Sequence, residues 1–311
     1  MNSTAKGYLL GAVAAASYGM NPLFALPLYE DGMTPDSVLF FRYLFAIPVL
    51  AVMLKARGRD FRVGRRDIPL LAVFGILFAL SSLTLFQSYN YMDAGIASTL
   101  LFVYPIMVAV IMAMFFKERL SAATILCIVT ATCGIGLLYK GADGATLSFT
   151  GTMLVLGSAL SYAIYIVGVN RTRLKDVATL NVTFYVLLFG LLLFAARLFT
   201  GDGLQTPDRW YLWSNLIALG VLPTAISLLC TTAAIQYIGS TPTAILGALE
   251  PVTAIFFGVA VFGEVLTGRD IAGVLLIIVA VGLVVAGGSV SQPLVRLRKL
   301  FPKLSRNRDA K

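Results

Sequence analysis

Glu250-Pro251 followed by Gly263-Glu264-Val265-Leu266 is the stretch whose reading decides the fold. A counterpart stands in the first half, where Pro105 precedes Lys117-Glu118-Arg119-Leu120. In both copies the glutamate stands 13 positions after the proline, and a leucine follows two later. The copies lie 146 residues apart, an offset that also pairs Tyr91 with Tyr237 and Gly136-Leu137 with Gly282-Leu283. Nearer the N-terminus, Gly7-Tyr8-Leu9-Leu10 through Ser17-Tyr18 parallels Gly151-Thr152-Met153-Leu154 through Ser161-Tyr162 at an offset of 144. Single matches between apolar residues mean little. The proline-to-glutamate spacing is more specific, and it makes the chain an internal duplication.

What is duplicated follows from composition. Of 311 residues, 59% are hydrophobic and 13% charged, against about 25% charged in a soluble domain. Such a chain cannot clothe a water-soluble globule, which excludes an ordinary cytosolic enzyme, a disordered chain and a secreted disulfide scaffold. The three cysteines, Cys127, Cys133 and Cys230, all sit in apolar runs and read as small buried hydrophobes.

A helix needs roughly 20 apolar residues to cross the hydrocarbon layer. Ten segments qualify or come close: 7–27, 37–54, 68–90, 94–116, 122–139, 151–168, 179–199, 213–236, 242–262 and 269–287. Helices are the physical choice because a lipid-facing backbone must satisfy its own hydrogen bonds, and no strand alternation is present. The expected fold is therefore an all-α polytopic membrane protein of ten transmembrane helices. Five fall in a first repeat within 1–139, five in a second within 151–287, and a basic tail occupies 288–311. Five is odd, so the second copy enters the membrane inverted, as in many secondary transporters. The first span, with Lys6 ahead of it, superficially resembles a signal peptide; the recurrence of its pattern at 151–162 marks a retained element.

The net charge of +9 records topology. With the N-terminus inside, 19 Lys and Arg fall on inner segments, including the clusters at 55–66 and in the tail, and 4 fall outside. Both termini are thus expected in the cytoplasm, with the basic clusters touching anionic lipid rather than nucleic acid.

These motifs, with Ala16-Ser17-Tyr18-Gly19 and Leu160-Ser161-Tyr162-Ala163, resemble the drug/metabolite transporter superfamily in its ten-span EamA-like branch. The resemblance covers nearly the whole chain. It implies an inner-membrane exporter and, through the aromatic amino-acid exporters of bacteria, a cargo of Phe, Tyr and Trp with tolerance of cationic drugs. No short motif assigns that cargo, and related carriers handle other amino acids, nucleobases, sugar phosphates or nucleotide sugars.

Two charges sit well inside spans: Arg42 and Glu250. Each costs about 2.5–3.5 kcal/mol if fully central, so each needs an offset. Glu250 is suited to carry a proton or meet a substrate ammonium, or it caps a broken helix or pairs with Arg42. Arg42 is suited to hold a carboxylate, or it snorkels toward the outer face. Helical spacing groups further polar residues: Ser17, Tyr18 and Asn21; Ser81, Thr84, Gln87, Ser88 and Tyr91; Ser158, Tyr162 and Tyr165; Thr224, Ser227 and Thr231; Thr243, Gly247 and Glu250. With Tyr104, these place a cavity among spans 1, 3, 4, 6, 8 and 9. The alternative is hydrogen bonding between packed helices. Pro22, Pro105, Pro223 and Pro251 are hinge candidates, each removing a helical hydrogen bond. Gly7, Gly11, Gly134 and Gly136 suit close helix approach.

The expected function is secondary-active export of small metabolites by alternating access, with the lipid bilayer and a small-molecule substrate as partners and no cofactor or metal. Cationic drugs or other metabolites on the same fold form the alternative. A channel is disfavoured by the inverted repeat. An intramembrane enzyme is disfavoured because the chain has no histidine and no loop large enough for a soluble active site.

Overall fold

The computed structural model describes residues 3–58, 60–117, 122–138, 148–201, 203–238, 243, 246–247, 249–280 and 282–283. The tail at 288–311 and Glu118, Arg119 and Leu120 lie outside the described residues. Among those described every regular element is helical. The first half holds α1 (Ser3–Gly19), α2 (Asn21–Glu30), α3 (Pro35–Ala56), α4 (Ile68–Ser88), α5 (Ala94–Leu101), α6 (Tyr104–Phe116) and α7 (Ala122–Leu138). The second holds α8 (Phe149–Arg171), α9 (Thr179–Thr200), α10 (Trp213–Gly220), a π-helical turn (Val221–Ile226), α11 (Ser227–Ile238), α12 (Leu249–Phe262) and α13 (268–280).

Seven helical stretches are long and apolar enough to cross a membrane, by length and composition, and α12 and part of α7 are shorter apolar helices. The expected count of ten is thus not reached among the described residues. The first, fourth and eighth spans are among these seven; the shortfall falls on the fifth, ninth and tenth, whose described helical runs are shorter than 18 residues. Spans read as continuous in the sequence are broken: the first at Met20, just before Pro22; the fourth at Phe102–Val103, just before Pro105; the eighth through the π-helical turn holding Pro223.

The two ends of the bundle are tied by different contacts. At the end holding the N-terminus, the Asn181 side-chain amide donates to the Asp60 carbonyl at 2.9 Å and the Tyr185 hydroxyl to the Phe61 carbonyl at 2.6 Å. At the opposite end Arg197 binds both carboxylate oxygens of Asp36, at 2.6 and 3.0 Å. There the Glu264 carboxylate, from the second half, accepts from the Ala94 amide at 3.0 Å and so caps α5 in the first half. Burial holds the Glu264 carboxyl above its ordinary value of 4.5, and the Asp93 charge adds to the effect against the pull of the α5 amides. Burial and then Asp270 likewise raise Asp93 from 3.8.

Between the ends the helices interlock through small residues. A Cβ on Gly11 would lie 2.5 Å from Leu246 Cδ1. One on Gly19 would strike the Glu250 carbonyl, so α1 rests directly on the α12 backbone. Gly134 is similarly close to α13, with Ile277 Cγ1 at 2.8 Å, whereas Gly136 faces open space and does not serve the close approach expected of it. Of the cysteines, Cys230 is buried but Cys133 is exposed on the bundle's outer surface, which corrects the reading of all three as interior.

Gly19→Ala is expected to lower the melting temperature in detergent, because its obstacle is backbone and overpacking costs about 1–3 kcal/mol. Gly136→Ala should leave it unchanged or slightly raised. Both raised carboxyl groups make the native state bind more protons than the unfolded chain, so their contribution to stability falls as pH rises through their titration. Between about pH 4 and 7 the melting temperature of a double variant, Asp93→Asn with Glu264→Gln, should therefore fall less steeply than that of the native protein.

Candidate functional site

The broken helices converge on one cavity of about 290 Å³, at the small end of the roughly 300–1,000 Å³ typical of ligand pockets. From α1 come Gly11, Ala14, Ala15 and Tyr18; from α3, Arg42; from α4, α5 and α6, Phe78, Leu101 and Tyr104. The second half supplies Tyr162 and Tyr165 from α8, Thr183, Val186 and Leu187 from α9, and Pro223 and Thr224 from the π-helical turn. Ser227, Leu228 and Thr231 of α11, then Thr243, Gly247 and Glu250, complete it. The lining reaches Thr183, in the second turn of α9, and so lies toward the end that holds the N-terminus.

Aromatic rings form one wall. Tyr104 meets Tyr162 edge-on with centroids 4.8 Å apart, and Tyr162 stacks on Tyr165 at 5.9 Å and 15°. Phe78 leans on Tyr165 at 5.2 Å. These separations fall in the favourable range for ring pairs, so the wall is preorganised and leaves ring faces and edges for a ligand.

The two charges lie on the lining but are not joined: among the described residues the ion pairs are Arg197–Asp36 and Arg209–Asp31. Arg42 is only 4% exposed. Its Nε donates to Thr224 Oγ1 at 2.9 Å and its guanidinium carbon lies 5.2 Å from the Phe86 ring centre, a cation–π arrangement. The snorkelling alternative is thereby corrected: an interior hydroxyl and an interior ring hold the cation, so it does not reach for the membrane surface. Tyr18 lies beside Arg42 and within electrostatic reach of Glu250. Glu250 stands in the first turn of α12, beyond the break before Pro251, where the helix N-terminus favours a carboxylate.

Of the residues read as substrate-site candidates, Tyr18, Arg42, Tyr104, Tyr162, Tyr165, Thr231, Thr243 and Glu250 share this lining. Ser17, Asn21, Gln87 and Tyr91 do not. Tyr91 is 52% exposed beyond the end of α4, and Asn21 is buried in α2 with its Oδ1 unpartnered. Among the hinge candidates Pro223 lines the cavity, while Pro22, Pro105 and Pro251 flank the helix breaks beside it. Polar stripes elsewhere pack helices: Ser81 Oγ and Ser158 Oγ meet at 3.0 Å between α4 and α8. The α9 wall was not anticipated, because Val186 and Leu187 look like any apolar span; Thr183, facing the same way, was its one signal.

The EamA-like transporter family matches residues 5–140 and 149–286, and this chain belongs to that family. The repeat, the broken helices and the cavity lined by polar and aromatic side chains thus belong to a membrane transporter rather than an enzyme. The chain is 26% identical to an uncharacterized inner membrane transporter, YicL, of Salmonella typhimurium, over 91% of this chain and 96% of the relative. It is 30% identical to the threonine/homoserine exporter RhtA of the same species, over 68% of this chain and 69% of the relative. A crystal structure of another protein superposes with a TM-score of 0.64 at 19% identity, covering 93% of this chain and 99% of that one; at that identity the likeness shows the fold alone.

Ser158→Ala removes one partner of the Ser81 pair and should destabilise by about 0.5–2 kcal/mol, read as earlier unfolding in detergent. Substrate flux corrected for folded protein should not change, because neither serine reaches the cavity.

Proposed function

We propose that the chain is a secondary-active exporter of aromatic amino acids, built as ten spans in two inverted five-helix repeats with both termini in the cytoplasm. One observation carries the reading: Arg42 and Glu250 face the same cavity unpaired, with tyrosines between and beside them. An amino acid brings the complementary set. Its carboxylate suits the guanidinium, whose planar fork favours that geometry, its ammonium suits Glu250, and a planar side chain suits the Tyr104–Tyr162–Tyr165 wall.

Unpaired charges in a low-dielectric cavity are costly, so a zwitterion that answers both at once gains where a neutral solute does not. A sugar phosphate is disfavoured because, among the described residues, Arg42 is the only cation on the lining. A cationic drug could use Glu250 and the rings but would leave Arg42 unanswered. The off-centre cavity supports a conformation accessible from the cytoplasmic side, the side from which an exporter loads. Pro105 and Pro251, equivalent in the repeats, support rocking of α6 and α12 during alternating access.

A second reading follows from RhtA, which exports threonine and homoserine: the same charge pair would serve a smaller amino acid, with the rings only closing the space. Proteoliposome flux of Phe, Tyr, Trp, Thr and homoserine separates the two. Saturable flux is expected for the aromatic set, with the half-saturation constant raised about tenfold or more by Arg42→Gln, equivalent to about 1.4 kcal/mol, and transport slowed by Glu250→Gln. Aromatic flux no faster than through protein-free vesicles would sink the assignment; preferential flux of Thr and homoserine would move it to the second reading.

A further inference from the structure

Pro223 has no amide hydrogen, so the carbonyl four residues earlier, that of Leu219, lacks its helical donor. The Thr224 hydroxyl takes that place, donating to the Leu219 carbonyl at 3.1 Å. The same oxygen accepts from Arg42 Nε at 2.9 Å. A chain of hydrogen bonds therefore runs from the guanidinium through one hydroxyl of the π-helical turn to the backbone at the end of α10. Gly220 permits it: a Cβ there would lie 3.0 Å from the Arg42 carbonyl and 2.8 Å from Phe45 Cβ, so only glycine lets α10 come this close to α3.

We infer that Thr224 is a positioning residue for substrate recognition: by occupying Nε and anchoring it to the Leu219–Pro223 break, it turns the Nη edge of Arg42 toward the ligand carboxylate. This rests on the proposed role of Arg42. Three features support it together. The hydroxyl is used on both sides, as donor to a carbonyl that proline stripped and as acceptor from the cation. The Phe86 face fixes the guanidinium plane. Thr224, Arg42 and Tyr18 all line the cavity, and Tyr18 hydrogen-bonds the Arg42 side chain, so the guanidinium is held at the cavity wall from two sides. A hydroxyl that only repaired the helix break would have no need of Arg42.

The test uses the full chain in proteoliposomes and compares L-phenylalanine flux with inhibition by phenylalaninamide, which keeps the ring and ammonium but has no carboxylate. Thr224→Val should raise the half-saturation constant for phenylalanine about tenfold, as expected for misplacing one charge-assisted contact. The maximal rate should stay within about twofold, and the inhibition constant of the amide should not move. Thr224→Ser should restore native behaviour. In an Arg42→Lys background, which lacks Nε, Thr224→Val should add nothing. Should Thr224→Val fail to fold, Thr224→Cys carries the same comparison with a weaker acceptor.

Equal shifts for acid and amide, or no shift for either, overturn the positioning role. Loss of acid-over-amide preference in Arg42→Gln but not in Thr224→Val overturns it while leaving Arg42 as the carboxylate group. A native protein with no such preference, or an Arg42→Gln variant that keeps it, removes the Arg42 reading and the positioning role with it.

Discussion

A backbone carbonyl stripped of its donor at mid-membrane finds no bulk water to replace it. Pro27 and Pro48 withhold an amide within continuous helices, and four further prolines do so at helix breaks. Pro22, Pro105, Pro223 and Pro251 withhold amides from Tyr18, Leu101, Leu219 and Gly247, each four residues earlier. Tyr18, Leu101 and Gly247 line the cavity. The Gly247 carbonyl accepts from the Glu250 amide at 2.9 Å and that of Leu219 from the Thr224 hydroxyl. Non-helical backbone within a membrane protein is tolerated where protein buries it or where it lines a cavity, and this molecule gathers its breaks around one space.

The rest of the architecture holds those breaks in register. Gly11 and Gly19 bring α1 onto the second half, with Gly19 against the Glu250 backbone carbonyl, so the broken first helix meets the first turn of α12 backbone to backbone. The Ser81–Ser158 pair and the phenylalanine–tyrosine contacts join α4 to α8, and Tyr43 beside Phe194 joins α3 to α9. At the end opposite the cavity, Glu264 caps α5 and Arg197 holds Asp36. The end holding the N-terminus is tied in turn by Asn181 and Tyr185 to the backbone at Asp60 and Phe61.

Much of the site was legible. An intramembrane charge is rare enough that Arg42 and Glu250 stood out without a structure, and helical spacing joined Tyr162 to Tyr165 and Thr243 to Glu250. The same spacing could not say which neighbour a face meets. Ser81 and Tyr162 each lie on a polar stripe, yet Ser81 turns to α8 and Tyr162 to the cavity. Asn21 and Tyr91 sit at helix starts and ends, where one residue of offset decides between cavity, interior and surface. The contribution of α9 was invisible because an apolar wall has no chemical signature within an apolar span.

By itself the sequence determined the membrane-embedded helical class, the duplication and the places where helices break. Those depend on local chemistry: apolar length against bilayer thickness, and the missing amide of proline. Only the tertiary structure decided that Arg42 and Glu250 share a cavity without pairing, that Thr224 links the cation to a stripped carbonyl, and that Glu264 caps a helix of the other half. Each joins residues 170 to 208 positions apart in the chain or couples a side chain to a distortion several residues away. Such juxtapositions arise from how the helices pack, which no single helical period records.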